Sequence, residues 1–177
     1  MKRNCIIFLL SIIISLTAIA LYETPNGNTA EETSRYLRIH IRADSNDFEA
    51  QSVKYAVRDS VVAYLTPLVA EYQTKEEALS GIEKRLPQVV ERSEKVLREQ
   101  GFSYGARASL KKEEFPTRVY GEYTLPAGEY SALIIELGEG KGDNWWCVVY
   151  PPLCFSGVDT NVVYKSKIKE IIQKFFN

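Results

Sequence analysis

The chain has 177 residues, of which 45% are hydrophobic and 25% charged, and its formal net charge is −1. This length and composition predict one globular domain with a hydrophobic core of its own. Because the chain has no excess of basic residues to neutralise phosphates, its charge argues against nucleic-acid binding.

Residues 1–20 have the pattern of a secretory signal peptide. A short basic start at Lys2–Arg3 is followed by an uncharged stretch rich in Ile and Leu. Ala18 and Ala20 supply the small side chains that signal peptidase requires, which predicts cleavage after Ala20. An uncleaved signal anchor is the alternative, since the stretch is just long enough to span a bilayer. Both interpretations predict export, with residues 21–35 as a polar, flexible tether.

We expect residues 36–177 to form a single exported α+β domain that begins with a strand over residues 36–43. Apolar residues alternate there with Arg38, His40 and Arg42, which is the period of a strand with one buried face. The three basic side chains therefore form a stripe on the polar face. We expect this stripe to be solvated or, alternatively, to be a docking patch for a partner.

Two to three helices are predicted between this strand and Gly101. The first ends or kinks at Pro67. Thr74 and Glu77 match a capping box at the start of the second. The second is interrupted near Pro87, which suits the first turn of a third helix. Gly101 is expected to end that helix in a left-handed conformation.

After Gly101 the pattern changes to that of a mostly antiparallel sheet. Strands are predicted over residues 104–111, 117–123, 129–137 and 144–150. The last of them is apolar on both faces, which predicts a central position in the sheet. An amphipathic helix over residues 159–176 follows. A strand, helices, a sheet and a terminal helix together indicate the α+β class.

Cys147 and Cys154 lie on either side of Pro151 and Pro152. In an exported protein such a pair most simply forms a disulfide. The prolines restrict the loop and lower the entropic cost of closing it. A ring of this size contributes about 2–3 kcal/mol to stability. Two reduced thiols in the core, or one reactive thiol, remain the alternatives.

The sequence predicts no catalytic, cofactor or metal site. His40 is the single histidine, so a metal site built from several histidines is excluded. Residues 138–142 are glycine-rich but lack the P-loop spacing, which predicts a mobile hairpin or contact loop. A thiol dyad of His40 and Cys147 is conceivable, but the disulfide is the simpler use of the cysteine. We therefore expect no enzymatic activity, with a secreted cell-wall or thiol-dependent hydrolase as the alternative.

Residues 138–155, which contain both tryptophans and both cysteines outside the leader, resemble the stage II sporulation protein R family. The resemblance extends over Leu37–His40, Ala43–Asn46, Val57–Asp59, Leu97–Phe102, Phe115–Gly121 and Leu125–Tyr130. Asp44 stands where the family typically has an asparagine, which leaves open any role that an asparagine plays there.

The resemblance implies a secreted messenger of endospore-forming bacteria. Such proteins are made in the forespore and exported into the space between its two surrounding membranes. There they activate a membrane-embedded aspartic protease that cuts the precursor of the mother-cell sigma factor. We expect activation by direct contact, with the membrane touched only through an uncleaved N-terminal segment. Since aromatic residues and arginine dominate interfaces, the candidate contacts are Arg38, His40, Arg118, Tyr120, Trp145 and Trp146. Core packing is the alternative role of both tryptophans.

Overall fold

The computed structural model describes residues 29–155 and 162–176, so the predicted signal peptide lies outside the described residues. The elements, in chain order, are α1 (Thr29–Ser34), β1 (Leu37–Arg42), α2 (Phe48–Val69), α3 (Lys75–Glu83), α4 (Leu86–Glu99), β2 (Ala106–Phe115), β3 (Arg118–Tyr120), β4 (Tyr123–Leu125), β5 (Gly128–Leu137), β6 (Asn144–Tyr150), a 3₁₀ turn (Leu153–Phe155) and α5 (Val162–Phe176). The predicted α+β class is confirmed. Within the described ranges, none of the helices has the length and apolar character needed to cross a membrane.

Four strands form one sheet in the order β2-β5-β1-β6, and β3 and β4 form a separate hairpin. β1 is parallel to β5, whereas β1 with β6 and β2 with β5 are antiparallel. The mostly antiparallel sheet is therefore confirmed. The predicted central position of β6 is wrong, because β6 pairs only with β1, at one edge of the sheet. Its two apolar faces reflect the two layers that cover the sheet, not a neighbour on each side.

The sequence signals at the helix ends are largely confirmed. The Thr74 hydroxyl accepts a hydrogen bond from the backbone N–H of Glu77 at 3.1 Å, which is one half of the capping box. The Glu77 carboxylate accepts from the N–H of Gln73 at 2.7 Å and not from that of Thr74. Pro87 lies in the first turn of α4, and Gly101, with φ of 83°, follows its end in the left-handed region. Pro67 falls in the last turn of α2, which continues to Val69.

The main core lies between the helices and one face of the sheet. Every second residue of β1 points into it, as the alternation predicts. The strands contribute Leu37, Ile39, Ile41, Leu133, Ile135, Leu137, Cys147 and Val149. Ile168 of α5 is fully buried in this core, and Ile171, Ile172 and Phe175 pack against it. The apolar face predicted for the terminal helix is therefore confirmed.

The start of the described chain departs from the flexible tether that we predicted over residues 21–35. Residues 29–34 form α1, in which Thr33 is buried. Lys75 donates a hydrogen bond to the Ser34 carbonyl at 2.5 Å, and Arg35 donates one to the Phe175 carbonyl at 3.2 Å. Contacts with distant residues thus order this part of the chain despite its polar composition, and the tether stays a prediction over residues 21–28. Residues 21–28 lie outside the described residues.

Candidate partner-contact site

Arg38, His40 and Arg42 lie on the face of the sheet that is turned away from the main core. Arg38 and His40 are fully buried, and the Arg42 side chain is 24% exposed. The solvated basic stripe expected from the sequence is therefore wrong for the first two residues. The reason is a second layer, formed by the β3–β4 hairpin and by aromatic side chains of the sheet, which covers this face.

The Arg38 guanidinium lies in a cage of three aromatic rings, those of Phe115, Tyr120 and Tyr130. Its central carbon is 4.3, 5.6 and 4.8 Å from their respective centroids. Nη2 donates to the Tyr120 hydroxyl at 2.6 Å, whereas Nε and Nη1 make no hydrogen bond of ordinary geometry in the described part of the chain, although the Tyr130 hydroxyl lies close enough to interact with the guanidinium. Burial lowers the pKa of Arg38 and raises that of Tyr120. The cage thus holds a cation beside a neutral phenol.

His40 lies next to this cage, between two aromatic rings. Its ring centroid is 5.5 Å from that of Phe115 and 4.8 Å from that of Trp146. Its Nε2 atom is 3.4 Å from the Glu113 carboxylate, although that carboxylate also pairs with Arg42. The imidazole is thus held mainly by apolar contacts.

The electrostatic surroundings keep His40 neutral. Burial lowers its pKa to about 3, and the positive charges of Arg42, Lys111 and Arg38 act in the same direction. The nearby Glu113 carboxylate is the opposing charge, and it is shared with Arg42. An uncharged imidazole at neutral pH follows, because burial disfavours the charged form.

The β3–β4 hairpin (Arg118–Leu125) covers the cage through a small set of side chains. Arg118 lies over the Trp146 ring, with its guanidinium carbon 5.6 Å from the centroid. Tyr123 stacks on Phe176 at 3.9 Å, and Leu125 is buried. The strand predicted over residues 117–123 is in fact two strands, because the chain turns at Gly121, whose φ is 62°.

The structure brings five of the six candidate contact residues together on this face. They are Arg38, His40, Arg118, Tyr120 and Trp146. The tryptophan and the two hairpin residues are partly exposed, whereas the two strand residues lie beneath them. Their role in partner contact stays a prediction.

Trp145 lies on the opposite face of β6 and packs against the main core. The Arg58 guanidinium is 5.7 Å from its ring and 4.9 Å from that of Tyr55. Tyr55 and Phe48 on α2 are exposed by 44% and 82%. Sequence reasoning missed this aromatic surface, although the seven-residue spacing of the two α2 residues was a signal that they share one helix face.

The connection between β5 and β6 is not the hairpin that the glycines suggested, because β1 lies between these strands. The loop instead crosses the end of β1 and is tied to the residues after it. Asp44 Oδ1 accepts the N–H of Glu139 at 2.7 Å, and Asn46 Oδ1 accepts the N–H of Asp143 at 2.7 Å. An asparagine at position 44 also carries Oδ1, so the aspartate can fill the same role.

Cys147 and Cys154 are joined in a disulfide, as the sequence predicts, with Cα atoms 6.2 Å apart. Cys147 lies opposite Ile39 in the β1–β6 register, and both point into the main core. His40 points to the other face. A thiol dyad of His40 and Cys147 is therefore excluded by the fold. Among the described residues, no group of three His, Cys, Asp or Glu side chains could hold a metal ion.

The sequence comparisons identify relatives over most of the chain. The family model for stage II sporulation protein R (spore_II_R) matches residues 33–160, a span that contains all six strands. The stage II sporulation protein R of Bacillus subtilis (strain 168) is 34% identical over 154 residues, which cover 85% of this chain and 69% of that protein. No solved structure is significantly similar to the chain.

Proposed function

Because this chain belongs to the stage II sporulation protein R family, we propose that it is a secreted signalling protein of endospore formation. Exported from the forespore into the intermembrane space, it contacts a membrane-embedded aspartic protease directly. The activated protease then cuts the precursor of the mother-cell sigma factor.

Family membership over residues 33–160 is the observation that carries this proposal. The signal-peptide pattern at the N-terminus supports export. Activation by contact requires that the protein bind the active arrangement of the protease more tightly than the inactive one, since equal affinity would shift nothing. Function therefore resides in a surface.

The hairpin face is the surface that we assign to this contact. Arg118, Tyr120 and Trp146 are partly exposed there and belong to the residue types that dominate binding energy at interfaces. Tyr120 accepts a hydrogen bond from Arg38, Trp146 packs on His40, and the Arg118 guanidinium lies over Trp146. Trp146 belongs to the sheet and not to the hairpin, so it is ordered before the partner binds and loses little conformational entropy on binding.

Cleavage of the sigma-factor precursor in vegetative cells that express protease and precursor tests the proposal. We expect cleavage when this protein is co-expressed with its leader, and none when it is absent or lacks residues 1–20. The exported protein must be folded, which its resistance to added protease would establish. Absence of cleavage with folded, exported protein would contradict the proposal.

The secreted hydrolase gains no support from the site. A thiol hydrolase needs a base beside its nucleophile, and the fold places His40 and Cys147 on opposite faces of the sheet. We therefore propose no second function.

A further inference from the structure

We infer that the β3–β4 hairpin is a displaceable cover over a carboxylate-binding site, and that Arg38 is the binding group of this site. The occupant is an aspartate or glutamate side chain of the partner protein. The inference rests on the proposed function and deepens it, because it names the chemistry by which the partner is recognised.

The first argument is the state of Arg38 beneath the closed hairpin. The side chain is fully buried, and no carboxylate of the described residues forms an ion pair with it. A buried charge without a counter-charge is unfavourable. The faces of Phe115 and Tyr130 offset only part of this cost, since a cation–π contact is weaker than an ion pair with a buried carboxylate. The closed form therefore leaves the cation incompletely compensated.

The second argument is the geometry of the donors that remain. Nε and Nη1 of Arg38 make no hydrogen bond of ordinary geometry in the described chain, although the Tyr130 hydroxyl lies near the guanidinium, and Nη2 is held by the Tyr120 hydroxyl of the hairpin. If the hairpin moves away, Nη2 is released next to both unpaired donors. Two edges of the guanidinium then offer the parallel pair of N–H groups that binds a carboxylate.

The third argument is the weak attachment of the cover. Each of its strands has three residues, and they pair only with each other. A two-stranded hairpin of this kind has little stability of its own. Beside its turn, an open groove of about 450 Å³ separates it from Leu153 and Ile172. The hairpin is thus held by side-chain contacts and not by a backbone ladder to the sheet.

Charge complementarity determines the occupant. An acidic side chain pairs with Arg38 in surroundings of low polarity, where an ion pair with good hydrogen-bond geometry is strong. Arg118, on the hairpin itself, adds a second positive charge near Trp146. A neutral or basic segment would leave the Arg38 cation as poorly compensated as before.

Hydrogen exchange tests whether the hairpin opens. Amides of residues 118–125 are expected to exchange at least about 100-fold faster than those of β5, because opening of the hairpin leaves the sheet intact. Arg38→Met removes the buried charge and should slow hairpin exchange about tenfold. Equal exchange rates in the hairpin and in β5 of the unsubstituted protein would overturn the inference, since the cover would then open only on global unfolding.

The precursor-cleavage assay tests whether Arg38 recognises the partner. Arg38→Met should reduce cleavage at least about tenfold, as loss of a charge-paired group at an interface does, and Arg38→Lys should retain part of it. Tyr120→Phe removes the hydroxyl that holds Nη2 and so favours the open hairpin. Half-maximal cleavage should therefore need less of the variant than of the unsubstituted protein. Arg107→Met is the matched control, because the Arg107 side chain is 65% exposed on β2. Its cleavage should equal that of the unsubstituted protein.

The outcomes separate this inference from the function on which it rests. No cleavage with the unsubstituted, folded protein contradicts the proposed function. Full cleavage with folded Arg38→Met overturns the carboxylate site and leaves the function standing. Where Arg38→Met does not fold, the Tyr120→Phe dose dependence decides, and an unchanged or higher half-maximal dose overturns the inference.

Discussion

A single buried imidazole links the stability of this domain to pH. His40 is enclosed by Phe115 and Trp146 and carries a pKa lowered to about 3. In the unfolded chain a histidine titrates near about 6.5. Between these values the unfolded state binds the extra proton, so stability increases with pH there. The stability that neutral His40 provides is fully present above the pKa of the unfolded state. It is lost as the pH falls towards the pKa of the folded state.

We therefore expect acidification from pH 7.5 to pH 5 to cost the protein about 2 kcal/mol of unfolding free energy through His40 alone. His40→Gln cannot be protonated and should lack this part of the pH dependence. Urea unfolding of both proteins at the two pH values measures the difference. Identical pH dependence in the two proteins would contradict the neutral, buried state of His40.

Asp44 offers a second test at the scale of one residue. Its Oδ1 holds the N–H of Glu139 where the β5–β6 loop crosses β1. Asp44→Ala removes the acceptor of that exposed N–H and should lower the unfolding free energy by about 0.5–1.5 kcal/mol, the net value of an ordinary hydrogen bond. Asp44→Asn keeps an acceptor at the same place and should change it by less than about 0.5 kcal/mol. Chemical denaturation measures both, and equal losses would show that the negative charge, not the acceptor, matters.

At the scale of elements, β6 and the turn after it form a unit closed by the disulfide. Cys147 is on the strand, Cys154 is in the 3₁₀ turn, and Phe155 of the turn is buried in the main core. The bond therefore fixes the turn against the edge strand. β6 is an edge strand without charged residues, and an edge of that kind has unpaired backbone groups that can attract other strands.

We expect Cys147→Ala and Cys154→Ala each to lower the unfolding free energy by about 2–3 kcal/mol. The double substitution should cost about as much as either single one, because all three remove the same bond. Denaturation of the three variants under oxidising conditions tests this. Losses that add in the double variant would show two independent thiols.

The elements also show why the sequence predicts some features and not others. The existence of strand β1, the N-cap of α3 and the proline and glycine at the two ends of α4 rest on local signals, and the structure confirms them. Arg38 is buried because the hairpin of residues 118–125 packs over it. No local sequence pattern specifies that long-range contact. The two apolar faces of β6 led to a wrong central position, because cover on both faces carries no information on strand order. Phe115 and Tyr130 could not be recognised from the sequence as part of a site, because only tertiary contacts bring them to Arg38.

At the scale of the whole molecule, α5 connects the two layers that cover the sheet. Phe175 packs against both hydrophobic clusters, with ring centroids 5.2 Å from Tyr36 and 6.0 Å from Tyr150. Phe176 lies on the hairpin side of the sheet, where its ring stacks on that of Tyr123. Phe175 thus contacts both clusters, whereas Phe176 contacts only the cluster on the hairpin side.

Phe175→Ala is expected to lower the unfolding free energy by about 2 kcal/mol, less than for a fully buried ring because the side chain is partly exposed. It should raise hydrogen exchange in both β6 and the hairpin. Phe176→Ala is the matched variant and should raise exchange in the hairpin alone. The same exchange pattern in both variants would contradict the bridging role of Phe175.

The order of strands in the sheet affects when the sheet can form during synthesis of the protein. β1 is near the start of the chain, yet both strands that flank it, β5 and β6, come from the last third of the sequence. A ribosome or a translocation channel releases β1 early and its neighbours late. Pairing between residues so far apart in sequence slows folding. β1 therefore remains unpaired until β5 and β6 have been released. The sheet is therefore completed late in synthesis, after helices α2, α3 and α4, which pack on one of its faces.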